Sequence, residues 1–160
     1  MSTRSIIARL NDDKSVDAIY CHRDGYLSGV GLELIQNYHL EPEALDRLIE
    51  LGYLEDLNET PEKSRPCEPP LPALHFDSLD ALAKHLQKTN SWVEYVYYGE
   101  KTDGFDDMEV IDWWVSHNHN KGTLNYFKIP SIIQAFDYID EHFGELADAE
   151  KDEDKDDSKE

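Results

Sequence analysis

Hydrophobic and polar residues follow two periodicities along this chain, one typical of strands and one typical of helices. Five runs rich in β-branched and aromatic residues have the length of strands. They are residues 5–10, 16–22, 92–98, 109–116 and 123–128. The polar stretch 11–15 between the first two runs predicts a β-hairpin.

Apolar residues spaced by three and four predict four helices. The first covers 32–40, and the second runs from near Glu41 to Gly52, with Pro42 in its first turn. The third is capped by Asp77 or Ser78. The fourth covers 131–146, with its apolar face at Ile132, Phe136, Ile139, Phe143 and Leu146. Residues 58–72 are rich in Pro and Glu and predict a long surface loop.

These elements predict one α+β domain over residues 1–147. We expect an antiparallel sheet of about five strands packed by three or four helices. Aromatic residues make up 11% of the chain, which is typical of a folded protein. Residues 148–160 contain eight acidic residues and three lysines, and this composition predicts a disordered acidic tail.

Charge restricts the classes of partner. The chain has 35 acidic and 15 basic residues, a formal net charge of −20. The tail contributes −5, which leaves −15 on residues 1–147. Binding to nucleic-acid phosphates depends on Lys and Arg, so direct contact with DNA or RNA is not expected. The same repulsion argues against anionic membranes.

The cysteine pattern and the lack of long apolar segments indicate the cellular compartment. Cys21 and Cys67 lie outside any CxxC motif, which favours free thiols and a reducing compartment. No run approaches the roughly 20 apolar residues of a membrane span. We expect a cytoplasmic protein, in the host cytoplasm if phage-encoded, that is a monomer or homodimer without a cofactor.

The predicted last helix has a stripe of carboxylates on one side. It consists of Asp137, Asp140, Glu141, Glu145 and Asp148. Like charges at these spacings destabilise a helix by a few tenths of a kcal/mol per pair, and no Lys or Arg intervenes before Lys151. The stripe is either a docking face for a basic partner or an ordinary solvated face.

A second acidic cluster surrounds a predicted hairpin. It consists of Asp103, Asp106, Asp107, Glu109 and Asp112. These residues lack the ligand order of an EF-hand, so a partner-facing or solvated loop is favoured over a Ca²⁺ site. In the adjacent pair Trp113–Trp114, one ring should face the core and the other the outside. An exposed Trp114 would suit an interface; burial in the core is the alternative.

The segment 18–31 provides the alternative functional site. Tyr20, His22, Asp24 and Tyr26 are its candidate ligand-binding residues. Cys21 and His22 resemble a nucleophile beside a base, but neighbours on a strand point to opposite faces and cannot form a dyad. His117 and His119 could join Cys21 or His22 around zinc, although no second pair has ligand spacing. We therefore predict no metal site.

Two sequence stretches carry a resemblance to a known family. The opening MSTRSII and the segment AIYCHRDGYLSGVG (18–31) resemble a family of small uncharacterised proteins of bacteriophages and other mobile elements. Those proteins typically carry AIYCHWDGYPxGVG, so Arg23 and Leu27 depart from the pattern. A stretch like 44–52 also recurs in them. The resemblance covers about a third of the chain and implies a mobile-element origin, with no catalytic residues to carry over.

Charge, motifs and resemblance together predict a function in protein binding. None of the common nucleotide-binding, hydrolase or metalloprotease motifs occurs in the sequence. We expect a non-enzymatic acidic inhibitor, of the anti-restriction or anti-CRISPR type. It would mimic nucleic acid and block a host DNA- or RNA-binding protein of defence, replication or transcription. The alternative is a small enzyme or ligand-binding domain built on residues 20–31.

Overall fold

A computed structural model describes residues 3–89, 93–117 and 126–129. These residues form a mixed α+β structure with eight strands and three helices. The strands are β1 Arg4–Leu10, β2 Val16–Cys21, β3 Leu54–Asp56, β4 Arg65–Pro66, β5 Leu74–Phe76, β6 Val93–Asp103, β7 Glu109–His117 and β8 Phe127–Ile129. The helices are α1 Leu32–Asn37, α2 Pro42–Leu51 and α3 Leu79–Lys88.

The eight strands form one sheet in the order β4-β3-β2-β1-β6-β7-β8, and β5 also pairs with β2. The α+β class is confirmed. The predicted antiparallel sheet of about five strands is wrong in the number of strands and in their direction. The pairs β1–β6 and β2–β3 are parallel, so the sheet is mixed. The parallel β1–β6 pair arises because the chain crosses over through the helices between these strands.

The predicted hairpin at the start of the chain is confirmed. β1 and β2 pair antiparallel from Ser5 opposite Cys21 to Leu10 opposite Val16. In the turn, the Asn11 amide donates to the Ser15 carbonyl at 2.8 Å. The predicted second strand ended at His22, but β2 ends at Cys21 and His22 follows it directly.

The first three predicted helices are confirmed, with shorter ends in places. A single π-helical turn, Leu27–Gly31, leads into α1. Pro42 occupies the first turn of α2, and Gly52 ends it at φ 81°, a conformation that favours glycine. Ser78 caps α3 by accepting a hydrogen bond from the Ala81 amide at 3.1 Å. The capping residue is thus Ser78 rather than Asp77.

Helices cover both faces of the sheet, with α1 and α2 on one face and α3 on the other. A separate apolar core lies between the sheet and the helices on each face. On one face, α1 and α2 pack over inward side chains that include Ile7, Ile19 and Trp113. On the other face, Leu82 and Leu86 of α3 pack against alternate residues of the same strands. This arrangement follows from the two-residue period of a strand, which sends successive side chains to opposite faces.

The loop predicted at 58–72 contains more structure than expected. Short strand β4 lies within it, and β3 and β5 lie on either side of it. Strands of two or three residues are too short for a periodic pattern, so the sequence did not reveal them. The predicted helix 131–146 and the tail 148–160 lie outside the described residues. The same holds for residues 123–125, the first half of the predicted strand 123–128, whose second half overlaps β8.

Candidate functional site

The first candidate site is the tip of the β6–β7 hairpin, residues 103–109, hereafter the hairpin tip. The strand pairing ends where Asp103 lies opposite Glu109. The Gly104 amide donates to the Met108 carbonyl at 2.7 Å and closes the tip. Asp106 and Asp107 have φ angles of 56° and 58°, in the left-handed region where glycine is usual.

The carboxylates of the hairpin tip are exposed and have no cationic partner among the residues that the structure describes. Asp103, Asp106, Asp107 and Glu109 are all exposed. None of the four forms an ion pair within the described part of the chain. Met108 lies among them with 54% of its surface exposed. The tip therefore presents an apolar side chain surrounded by negative charge.

The other two residues predicted near this hairpin do not belong to its tip. Asp112 is half-buried, accepts a hydrogen bond from Thr102 at 3.2 Å and pairs with Lys128 at 3.4 Å. Trp113 is buried, as expected for one of the pair. Trp114 is half-buried, and its ring stacks on Tyr98 with centroids 5.9 Å apart. Trp114 thus packs against the α3-side core instead of standing out from the surface.

The acidic stripe predicted on the last helix lies outside the described residues. This applies to Asp137, Asp140, Glu141, Glu145 and Asp148. His119, one of the two histidines of the zinc alternative, lies outside them as well. His117 ends β7, where its ring meets that of Tyr95 edge-on at 4.6 Å.

The second candidate site is built by residues 18–31 and begins with a tight fold around Asp24. Asp24 has a φ of 55°, and its carbonyl accepts the Val30 amide at 2.7 Å. Its carboxylate accepts a hydrogen bond from the Tyr26 hydroxyl at 3.1 Å. A Cβ on Gly29 would collide with the Asp24 carbonyl oxygen, so the chain approach requires glycine at this position.

A polar pocket of roughly 340 Å³ opens beside this fold. Its walls come from the segment 23–33 and from residues 56–58 after β3. Arg23 and Asp56 face each other at 4.0 Å. Burial, and then the charge of Glu59, raise the pKa of Glu33, while a hydrogen bond from Asn37 opposes the rise. Of the four predicted ligand residues, Asp24 lines this pocket, and Tyr20, His22 and Tyr26 do not.

His22 instead meets two residues that the sequence did not connect with it. An imidazole nitrogen of His22, a carboxylate oxygen of Glu55 and the Cys67 sulfur all lie within 4.8 Å of one another. We call these three residues the His22 cluster. In the portion of the chain that the structure describes, this is the only group of three such side chains with ligand atoms this close. His117 therefore does not join it.

Cys21 and His22 point to different surroundings, as predicted for neighbours on a strand. Cys21 is fully buried in the core under α1 and α2. Burial raises the pKa of its thiol to about 12, so this thiol is protonated and inert at neutral pH. The pKa of the Cys67 thiol is also raised, by burial and then by the neighbouring Glu55 carboxylate.

Comparisons with protein-family models, with curated proteins and with solved structures find no match. No helix in residues 3–89, 93–117 and 126–129 is both long enough and apolar enough to cross a membrane.

Proposed function

We propose that the protein is a non-enzymatic inhibitor that binds a nucleic-acid-binding protein by imitating the charge of nucleic acid. The observation that carries this proposal is the hairpin tip, with four exposed carboxylates around an exposed Met108. Duplex DNA presents about one charge per 1.7 Å of its axis. A Lys- and Arg-lined groove that accepts DNA attracts a dense carboxylate surface by the same force.

The backbone of the tip supports a functional role for its charges. Asp106 and Asp107 both have left-handed backbone conformations, which carry a penalty of roughly 1 kcal/mol for a residue with a side chain. Glycine would relieve that penalty in each position. Two consecutive aspartates in such positions give up stability while adding negative charge to a chain that already has a net charge of −20.

Met108 supplies the apolar contact that charge alone does not provide. Charge complementarity mainly raises the rate of association and the specificity, whereas desolvated apolar anchors supply much of the affinity. The proposed partner therefore has a basic groove with an apolar depression. The resemblance to phage and mobile-element proteins favours a bacterial target in defence, replication or transcription, such as a restriction or CRISPR effector.

Affinity capture from bacterial lysate with a matched pair of variants tests this proposal. The tip variant carries Asp103→Asn, Asp106→Asn, Asp107→Asn and Glu109→Gln. The control carries Asp12→Asn, Glu41→Gln, Glu50→Gln and Glu68→Gln, four exposed positions elsewhere. Both variants lose the same charge, so only the location of the lost charge differs.

We expect the wild type and the control to recover the same nucleic-acid-binding protein, identified by mass spectrometry. Excess duplex DNA and raised salt should each displace it, and the tip variant should recover roughly tenfold less. A partner that is retained by the tip variant, or that is indifferent to DNA, would contradict the proposal.

The polar pocket favours a second candidate function, a small-molecule-binding domain. The pocket has the volume of a ligand site and draws its walls from the segment 23–33. A screen of metabolites by thermal shift tests this candidate. A ligand whose stabilisation is lost in Ser28→Trp, which fills the pocket, and kept in the tip variant would support it.

A further inference from the structure

We propose that His22, Glu55 and Cys67 form a zinc site with three protein ligands and one open position. This inference is independent of the docking function, because the hairpin tip contributes no residue to the cluster. Imidazole, thiolate and carboxylate are the three ligand types that zinc accepts in proteins. A soft sulfur ligand disfavours Ca²⁺ and Mg²⁺, which prefer oxygen.

The distances fit an ion of this size. Bonds of about 2.0–2.3 Å to tetrahedral zinc place two ligand atoms on the order of 3.5 Å apart. The three ligand atoms of the cluster are separated by at most 4.8 Å. Closing the remaining gap of about 1 Å requires rotation of the half-buried Glu55 and His22 side chains.

The backbone holds the three ligands on hydrogen-bonded elements. The His22 amide donates to the Leu54 carbonyl at 3.0 Å, which joins the end of β2 to β3. The Cys67 amide donates to the Tyr53 carbonyl at 2.9 Å, immediately before β3. The β3–β4 register shifts between Leu54 and Asp56, so Glu55 occupies a bulge. Bulges redirect a side chain, here towards His22 and Cys67.

Glu55 and its neighbour Asp56 have different surroundings. Neighbouring Asp56 has Arg65 at 2.6 Å and Arg23 at 4.0 Å. Glu55 has no Lys or Arg partner among the residues that the structure describes. Neither ring nitrogen of His22 has a hydrogen-bond partner there. The Glu55 carboxylate accepts a hydrogen bond from the Cys67 thiol, and a metal ion would take the place of that thiol proton.

Zinc binding at this site releases one proton. The Cys67 thiol releases its proton to the buffer and becomes a thiolate ligand, while Glu55 binds as a carboxylate and His22 as neutral imidazole. The partly exposed His22 and Glu55 leave a path from solvent. The fourth position is open and takes a water molecule.

Cobalt substitution tests the site directly, because a thiolate on Co²⁺ gives an intense near-ultraviolet charge-transfer band. The full chain, without a histidine tag and stripped with a chelator, is titrated with Co²⁺ and then with Zn²⁺. Excess Mg²⁺ and salt occupy the exposed carboxylates. We expect a charge-transfer band that saturates at one Co²⁺ per chain and is displaced by one Zn²⁺.

Two matched pairs of variants identify the ligands. Cys67→Ser should abolish the band, and Cys21→Ser should keep it, since Cys21 lies in the core. Glu55→Gln should weaken zinc affinity by more than about 100-fold, measured against a competing chromophoric chelator, whereas Glu50→Gln on α2 should not. Circular dichroism without metal checks that each variant folds.

The proposal is overturned if the wild type gives no saturable band, or if the band survives in Cys67→Ser. It is overturned equally if Glu55→Gln and Glu50→Gln bind zinc with the same affinity. If Cys67→Ser does not fold, the Glu55 pair still decides the matter, because glutamine preserves the size and polarity of that half-buried side chain.

Discussion

Acidic side chains occur both at the hairpin tip and at the edge of β2, but their surroundings differ. At the β2 edge, where β3 and β5 pair with β2, two of the carboxylates, Asp17 and Asp56, have cationic partners. Asp17 lies 2.8 Å from both Arg9 and His75, and Asp56 lies 2.6 Å from Arg65. At the hairpin tip, Asp106 and its acidic neighbours have none among the described residues. Ion pairs within the fold hold Asp17 and Asp56 in place, whereas the exposed carboxylates of the tip are accessible to solvent.

The backbone is also more tightly packed near β2 than at the hairpin tip. In the segment that directly follows β2, the close approach between Gly29 and Asp24 tolerates no added atom. The hairpin tip extends beyond the paired strands, and a backbone hydrogen bond from Gly104 to Met108 closes its turn. We expect mutations at the β2 edge to act through stability and mutations at the tip to act through binding.

The largest difference is expected between two glycine substitutions. In Gly29→Ala the new methyl group meets the backbone carbonyl of Asp24, which already accepts the Val30 amide. The loop must open, and the free energy of unfolding should fall by about 2–4 kcal/mol. In Gly104→Ala the nearest atoms are a side-chain methyl of Val110 at 3.0 Å and the Met108 carbonyl oxygen at 3.1 Å. These contacts are tight without the collision seen at Gly29, so the loss should be about 1 kcal/mol. Urea unfolding followed by tryptophan fluorescence measures both. Equal losses would remove the distinction between the two regions.

The next effect concerns Asp17 and its dependence on pH. Burial alone would raise the pKa of Asp17, but hydrogen bonds from His75, Asn11 and Arg9 hold it below its usual value. Its stabilisation is therefore present above the unfolded pKa of about 3.9 and is lost as pH falls through the lower folded pKa. Asp17→Asn should cost about 1–2 kcal/mol at pH 5–6.

His75 determines how the stabilisation by Asp17 changes at higher pH. Its hydrogen bond to Asp17 raises the pKa of His75, so its contribution is present below about pH 6.5 and is lost as pH rises through the raised value. The stability difference between wild type and Asp17→Asn should then be largest near pH 5–6, shrink towards pH 3 and shrink slightly above pH 7. Urea midpoints across this range measure it. A difference that is independent of pH would show that the ionised carboxylate is not what stabilises this edge.

The fold could be predicted where elements are long enough to carry a period. The β1–β2 hairpin and the helices α2 and α3 follow from apolar spacing, the polar turn and capping residues. The mixed sheet could not be predicted, because strand order depends on how distant segments pair. Strands β3, β4 and β5 have two or three residues each, which is below the length at which alternation is visible.

The two kinds of candidate site also differ in how far they could be predicted from the sequence. The hairpin tip is local in sequence, so its acidic cluster was visible in the chain, although Asp112 and Trp114 proved to be packed. The His22 cluster joins residues from three distant stretches, and only the pairing of β2 with β3 and of β3 with β4 brings them together. Cys67 lies in a Pro-rich stretch that gives no sign of ligand spacing.

The smallest expected effect concerns the two left-handed aspartates at the hairpin tip. Glycine in both positions removes the backbone penalty but adds entropy to the unfolded chain, so the net gain should be only about 0.5 kcal/mol. Asn tolerates the left-handed region much as Asp does. The pair Asp106→Asn, Asp107→Asn therefore removes the same charge without relieving the backbone.

Comparing the glycine pair with the asparagine pair separates conformation from charge. Both should lose binding of the captured partner to the same extent, because both lose the same two carboxylates. The glycine pair should be the more stable of the two by about 0.5 kcal/mol in urea unfolding. If the glycine pair were no more stable, the aspartates would carry no conformational penalty, and their presence would no longer favour a binding role. If the glycine pair kept the partner while the asparagine pair lost it, the shape of the tip rather than its charge would govern recognition.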